Sequence, residues 1–442
     1  MRHSAILPLI GVLLLTLAAA LYASDVELYL RVMRHLIVNP IRTPFIDLES
    51  VLTTTRCWQQ GVDVYASNPC DQLNRPMNYS PLWLRFSFLA IDRSWSLALG
   101  LALSLLYALS LAWLPPRRDA RTLLICAACA FSSLSLFAIE RGNLDVVIYL
   151  VCLLAAHGLT SSPPARLAAY GGLLLAGLLK FYPLVTCACV LRERPARAIA
   201  ISTVMLGAIA AFVWAFAAEL PRAAHNIPGT VFFGDVFSAQ QLPRYAGLAT
   251  APIVHLLAPT MKLDFLNQHL FLGAVAGMLV LASCLNMAGL IRSNALRASL
   301  AGLADWQKAR LFLGCALIAG CFFTGPSAGY RGILLLLCLP GLLSVQASLP
   351  ACPLRGGMRL LLAAIVLVLQ RDFFNAMLIS LDVRPDTNAL AGLAWLGFEA
   401  LWWGIATSLL AILAVLCLQE TATQATLRRL RPTLAAWAQG AG

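Results

Sequence analysis

Residues 165–197 read ARLAAYGGLLLAGLLKFYPLVTCACVLRERPAR, and the way this stretch meets a membrane decides the rest of the chain. Its long apolar interior holds one charge, Lys180, and arginines stand at both ends, Arg166 on one side and Arg192, Arg194 and Arg197 on the other. A single crossing helix would carry the second arginine cluster to the outer face. Two short helices that turn at residues 180–183 keep both basic ends on one face. Pro183 breaks a helix at that point, and Lys/Arg-rich connections stay on the cytoplasmic side, so the hairpin is expected. A turn at membrane depth is tolerated only where protein or a watery cavity surrounds it, which sets Lys180 at the edge of a pocket.

The sequence on either side agrees with a membrane setting. The chain has 442 residues, 60% of them hydrophobic and only 12% charged, too few to cover a soluble surface. Mean hydropathy is +0.79. Further spans are read near residues 4–24, 94–114, 122–140, 143–160, 198–218, 266–291, 309–324, 331–348, 358–381 and 396–418, each long enough to matter against about 30 Å of hydrocarbon. The expected fold is all-α, a polytopic membrane protein with about 12 membrane-embedded helices, treated as one domain over residues 1–442. Residues 4–24 have the basic start of a signal peptide. Their apolar run of about 20 residues exceeds the usual 7–15, so they read as a retained span.

Orientation follows from charge. With the hairpin in place, the connections near residues 117–121, 161–166, 192–197, 292–310 and 351–359, together with Arg2 and the tail bearing Arg428, Arg429 and Arg431, hold about 17 of the 32 Lys and Arg but about 4 of the 20 Asp and Glu. Both termini are then cytoplasmic, in an inner (plasma) membrane. The net charge of +12 reads as topology and not as a nucleic-acid surface. Membrane lipids are the expected neighbours. Two long non-cytoplasmic loops remain, residues 25–80 and 219–264, the second containing HNIPGTVFFGDVFSAQQLPRY. Most of the 13 cysteines, such as Cys126, Cys152 and Cys315, lie in apolar spans and read as small core residues. Their spacing gives no zinc signature, and no metal or other cofactor is expected. Cys57 and Cys70 fall in the first outer loop, where an oxidising compartment favours a disulfide; two reduced, buried thiols are the alternative.

Four polar clusters fall on that same outer side. In the first loop, Asp47 opens a helical pattern running over residues 46–60, with Glu49 and Asp63 in reach. A partly desolvated carboxylate is a stronger base; Asp47 also reads as a helix cap, somewhat more readily, and the two roles are compatible. Trp58, Tyr65 and Tyr79 are candidates to stack on a ligand or simply to pack the loop. The second cluster is Glu140-Arg141-Gly142-Asn143-Leu144-Asp145, where Asp145 lies inside a span and an idle carboxylate would be costly. Lys180, flanked by Phe181 and Tyr182, is the third. The fourth is Tyr330-Arg331, whose guanidinium at a helix start suits an anion; Arg244 in the second loop could join it. Cations facing an anionic headgroup, with an acid nearby, suit transfer from a lipid phosphate to a hydroxyl. No Gly-rich nucleotide cradle is present.

These residues also carry a family resemblance. Asp47-Leu48-Glu49-Ser50-Val51, then Trp58, Gly61, Asp63 and Tyr65, then Asn78-Tyr79-Ser80-Pro81, then Gly142-Asn143 and Lys180-Phe181-Tyr182-Pro183, run in an order that resembles the GT-C superfamily of integral membrane glycosyltransferases, most closely glycosyltransferase family 87. The resemblance covers roughly the first 200 residues. It implies a polyprenyl-phosphate-sugar donor, with mannose the best-known sugar, a glycan or glycolipid acceptor, Asp47 as catalytic base and Lys180 near the lipid phosphate. Glu140-Arg141 replaces the family's usual glycine-glutamine pair, and Asn74-Arg75-Pro76-Met77 is not typical of its mannosyltransferases. Both departures bear on the sugar and acceptor more than on the reaction type. The resulting expectation is an inverting transferase with Asp47 as base, Lys180, Arg331 and Arg244 on the phosphate, and Glu49, Trp58, Asp63, Tyr65, Tyr79, Glu140, Arg141, Asn143, Tyr182 and Tyr330 around the substrates. A lipid-linked glycan flippase and a non-catalytic assembly protein are the rival readings.

Overall fold

A computed structural model describes residues 4–38, 40–89, 92–230, 236–257, 265–420 and 423–424. Arg2, the basic tail with Arg428, Arg429 and Arg431, and residues 231–235 and 258–264 of the second long loop lie outside them. The chain is all-α. Its first half comprises α1 (Ile6–Ser24), α2 (Val26–Arg34), α3 (Ile46–Gln59), α4 (Ser96–Ser110), α5 (Ala120–Ala130), α6 (Ser133–Glu140), α7 (Leu144–Gly158) and α8 (Pro163–Lys180). Then follow α9 (Pro195–Ala215), α10 (Glu219–His225), α11 (Gln241–Leu257), α12 (Phe265–Arg292), α13 (Asn294–Ala301), α14 (Asp305–Thr324), α15 (Leu339–Ser348), α16 (Pro353–Leu369), α17 (Arg371–Ser380) and α18 (Ala389–Gln419).

Among the described residues, five helical stretches are long and apolar enough to cross a membrane: Ile6–Ser24, Arg93–Trp113, Pro195–Ala215, Leu272–Arg292 and Ala389–Gln419. Three bent pairs raise the number to eight if each is one span: α5 with α6, the 3₁₀ segment Gly329–Leu337 with α15, and α16 with α17. The kinks of 44° to 54° explain why hydropathy alone reads these as straight helices. Large apolar side chains such as Trp214, Val204 and Ile199 on α9 and Leu281 and Leu285 on α12 are exposed. Apolar surface this extensive belongs against lipid.

The hairpin is built as follows. α8 is capped by Phe181, whose φ of 61° is left-handed, and Pro183 stands two residues on. The chain then returns as a 3₁₀ helix, Tyr182–Arg192. Gly177 permits the close return: a Cβ there would lie 2.5 Å from Leu184 Cδ2. At about 2.0 Å of rise per residue, the 11-residue return leg reaches roughly 22 Å, close to the roughly 27 Å of the 18-residue α8. The basic ends therefore meet, with Arg166 and Arg197 both pairing with the buried Glu193 at 3.2 and 3.3 Å. Lys180 lies at the other end of α8. The core gathers around α14, buried along most of its length against α18, α7 and the 3₁₀ segments Tyr182–Arg192 and Gly329–Leu337. A two-residue antiparallel pairing, β1 (Val236–Phe237) with β2 (Ser327–Ala328), ties the second long loop to the segment that carries Tyr330 and Arg331.

Candidate functional site

Asp47 is positioned by two backbone hydrogen bonds between separate parts of the chain. Phe45 N donates to Glu140 O at 2.8 Å, and Asp47 N donates to Arg141 O at 2.9 Å. The start of α3 thus docks on the turn between α6 and α7. Gly142 permits this approach, because its φ is 59° and a Cβ there would lie 2.9 Å from Phe45 Cβ. Phe45, not Asp47, occupies the cap position of α3. The Asp47 side chain is engaged elsewhere: Oδ1 accepts from Arg75 Nη1 at 2.7 Å, and Oδ2 accepts from Asn143 Nδ2 at 2.8 Å.

Asn143 joins this carboxylate to the hairpin. It caps α7, its Oδ1 accepting from Asp145 N at 2.9 Å, and the same oxygen accepts from Lys180 Nζ at 2.9 Å. Lys180 also pairs with Asp145 Oδ1 at 2.7 Å. Tyr182 donates its hydroxyl to that oxygen at 2.5 Å, and Arg331 Nε lies 3.9 Å from Asp145 Oδ2. The Arg331 guanidinium rests over the Tyr182 ring, 4.3 Å from its centroid. Tyr79 and Tyr330 hold their rings 5.7 and 5.9 Å from Lys180 Nζ. The network is neutral as a whole but polarised. Lys180 and Arg331 face one carboxylate at one end, while Asp47 and Asp71 share Arg75 at the other.

A cavity of about 240 Å³ opens beside Asp47, bordered by Ser50, Arg75, Asn78, Tyr79, Phe137, Arg141 and Tyr330. It is smaller than the roughly 300–1,000 Å³ that takes a drug-sized ligand. Arg75 is anchored from behind by Asp71, through Nε and Nη2 at 3.0 Å each. Burial works against the charge of Asp71, but hydrogen bonds and the charge of Arg75 prevail and hold its carboxyl below the usual range. Desolvation likewise opposes the Arg75 charge, and the two carboxylates outweigh it, so Arg75 holds its proton even more firmly than an ordinary arginine. Burial, reinforced by the charge of Asp47, lifts the Tyr79 phenol well above its ordinary value, so it meets a ligand as a neutral hydroxyl.

The structure thus brings Asp47, Asn143, Lys180, Tyr182, Arg331, Tyr79 and Tyr330 to one place. Arg141 joins the cavity wall, and Glu140 sits behind it, accepting from Ile41 N and facing Arg141 Nε at 3.5 Å. Other candidates are engaged elsewhere. Glu49 is buried between Gln72 and Arg93. Trp58 and Tyr65 pack edge to face in a small loop core with Val64 and Met77 and do not line the cavity. Asp63 pairs with Arg222, whose hydrogen bond holds its carboxyl below the usual range. Arg244, in the first turn of α11, donates to Thr230 and lies beside Tyr245. Sequence reasoning did not single out Arg75 and Asp71 as part of this cluster; their i, i+4 spacing directly after Cys70 was the local signal. Cys57 and Cys70 are joined in a disulfide.

No protein-family model, curated protein or solved structure matches this chain. Geometry therefore carries the functional argument. The site offers a carboxylate at a small cavity, linked through a single amide to a buried lysine–arginine cluster.

Proposed function

We propose that this chain is an inverting membrane glycosyltransferase of the GT-C type, with about twelve membrane-embedded helices and both termini cytoplasmic. It moves a monosaccharide from a polyprenyl-phosphate donor to a glycan or glycolipid hydroxyl on the non-cytoplasmic side. The observation that carries this proposal is Asn143, which hydrogen-bonds Asp47 through one side-chain atom and Lys180 through the other. A base and a phosphate seat are held within one side chain of each other.

In the reaction, the acceptor oxygen attacks the anomeric carbon of the donor sugar. Its proton passes to Asp47. The bond from that carbon to the phosphate oxygen breaks, and its electron pair leaves with the polyprenyl phosphate. Lys180 and Arg331 stabilise the charge that develops there. One displacement inverts the anomeric centre. Tyr79 and Tyr330 wall the ring position, and the apolar surfaces of α9 and α12 suit a lipid-borne substrate.

Asp47→Asn tests this directly, since it keeps the shape and one of the two accepted hydrogen bonds but cannot take the proton. Purified protein is assayed with a panel of polyprenyl-phosphate hexoses, using membrane glycolipids or water as acceptor. Transfer is expected to fall by about 10²–10⁴ while polyprenyl phosphate still co-purifies. Transfer at the wild-type rate would remove Asp47 from the mechanism. Co-purification of an intact lipid-linked oligosaccharide would instead point to a flippase.

A further inference from the structure

We propose that Arg75 is the positioning residue of this site, holding the Asp47 carboxylate at the cavity in the orientation that receives the acceptor proton. The proposal rests on the transferase reading given above. Its warrant is a chain of fixed contacts that ends at Asp47. Cys70 is tied to Cys57, on α3, by the disulfide. Asp71, the next residue, is buried and grips Arg75 through two parallel hydrogen bonds of 3.0 Å. That fork leaves Nη1 to reach Asp47 Oδ1 at 2.7 Å, and Nη2 also lies 3.4 Å from Ile46 O. A guanidinium held by a fork of this kind is planar and directional, which an ammonium is not.

Asp47 is therefore clamped from two sides, by Arg75 on Oδ1 and by Asn143 on Oδ2. Each oxygen keeps a second lone pair for the incoming hydroxyl. Without the clamp, the carboxylate can rotate about its terminal side-chain bond, and a misplacement of about 1 Å at a reacting group costs on the order of 10²-fold in rate. Arg75 receives no proton and holds no phosphate; it acts through Asp47.

The test uses the purified full chain and whichever polyprenyl-phosphate hexose of the panel the wild type turns over, with hydrolysis by water as the fallback readout. Arg75→Gln is expected to lower kcat about 10- to 100-fold with the donor KM within about twofold of wild type. Arg75→Lys restores part of kcat, because it returns the charge without the fork. Asp71→Asn, which loosens the anchor but leaves Arg75 present, gives a smaller fall of the same kind and serves if Arg75→Gln does not fold. Wild-type kcat in Arg75→Gln or Asp71→Asn, or a raised KM with kcat intact, overturns the positioning role. If those results come with an inactive Asp47→Asn, the transferase reading survives. If Asp47→Asn is fully active, both the reading and the role of Arg75 fall together.

Discussion

Asn143 bears more of the site than its size suggests. It is fully buried, and its amide serves Asp47, Asp145 and Lys180 at once. Asn143→Ala removes the connection and strands buried groups, each lost hydrogen bond of this kind costing about 1–3 kcal/mol. Sugar transfer is expected to fall about 10²-fold and the melting temperature by several degrees, measured on detergent-purified protein; unchanged values for both would mean that the amide only fills space. Asn143→Asp should be worse, because it sets a third carboxylate between Asp47 and Asp145. At this scale the sequence was legible where a charge stood in apolar surroundings. Lys180, Asp145 and Arg331 could be singled out because burial without a partner is costly. Arg75 could not, since an arginine in a polar loop looks like any solvated one until the chain folds Asp71 behind it. Trp58 and Tyr65 show the opposite ambiguity: loop aromatics suit a sugar or a small core equally well, and here they build the core.

The loop after α3 is the element that sets the Asp47 clamp, and two devices hold it. The Cys57–Cys70 disulfide closes a separation of 13 residues, which is worth about 3 kcal/mol for a loop of about that length. The Asp71–Arg75 pair adds a charge-dependent contribution. Because the folded pKa of Asp71 lies below the ordinary value of about 3.9, its stabilisation is complete above that value and is lost as pH falls through the folded pKa. Limited proteolysis of the loop should therefore show full protection at pH 7 and at pH 5, with cleavage rising toward pH 3. Asp71→Asn should be cleaved faster at pH 7 and pH 5, with the difference shrinking toward pH 3; equal protection of variant and wild type at pH 7 would count against the pair. The α3 helix itself could be read from its pattern, and the hairpin from Pro183 and the flanking arginines. The 3₁₀ character of Tyr182–Arg192 and of Gly329–Leu337 could not be read, because hydropathy carries no information about rise per residue.

For the molecule as a whole, composition was enough for an all-helical, membrane-embedded chain, since it leaves too little polar surface for water. It could not fix the number of crossings, because bent pairs such as α16 with α17 hide a break inside a continuous apolar run. Just after that break stands another buried charge cluster. Arg371 Nη2 lies 2.7 Å from Glu399 Oε1 on α18, both side chains are about 2% exposed or less, and Asp372 beside them is fully buried. The pair joins α17 to α18 across the C-terminal half, far in sequence from the Asp47 network. Removing one partner of a buried pair is more damaging than the pair is stabilising, because the remaining charge stays desolvated. Arg371→Met and Glu399→Gln are each therefore expected to cost about 3–5 kcal/mol. Replacing both, as Arg371→Met with Glu399→Leu, should recover part of the loss, because no uncompensated charge is left by that pair. Thermal unfolding of the three variants in one detergent checks the order. If Arg371→Met melts with the wild type, the cluster is solvated and does not join the two helices.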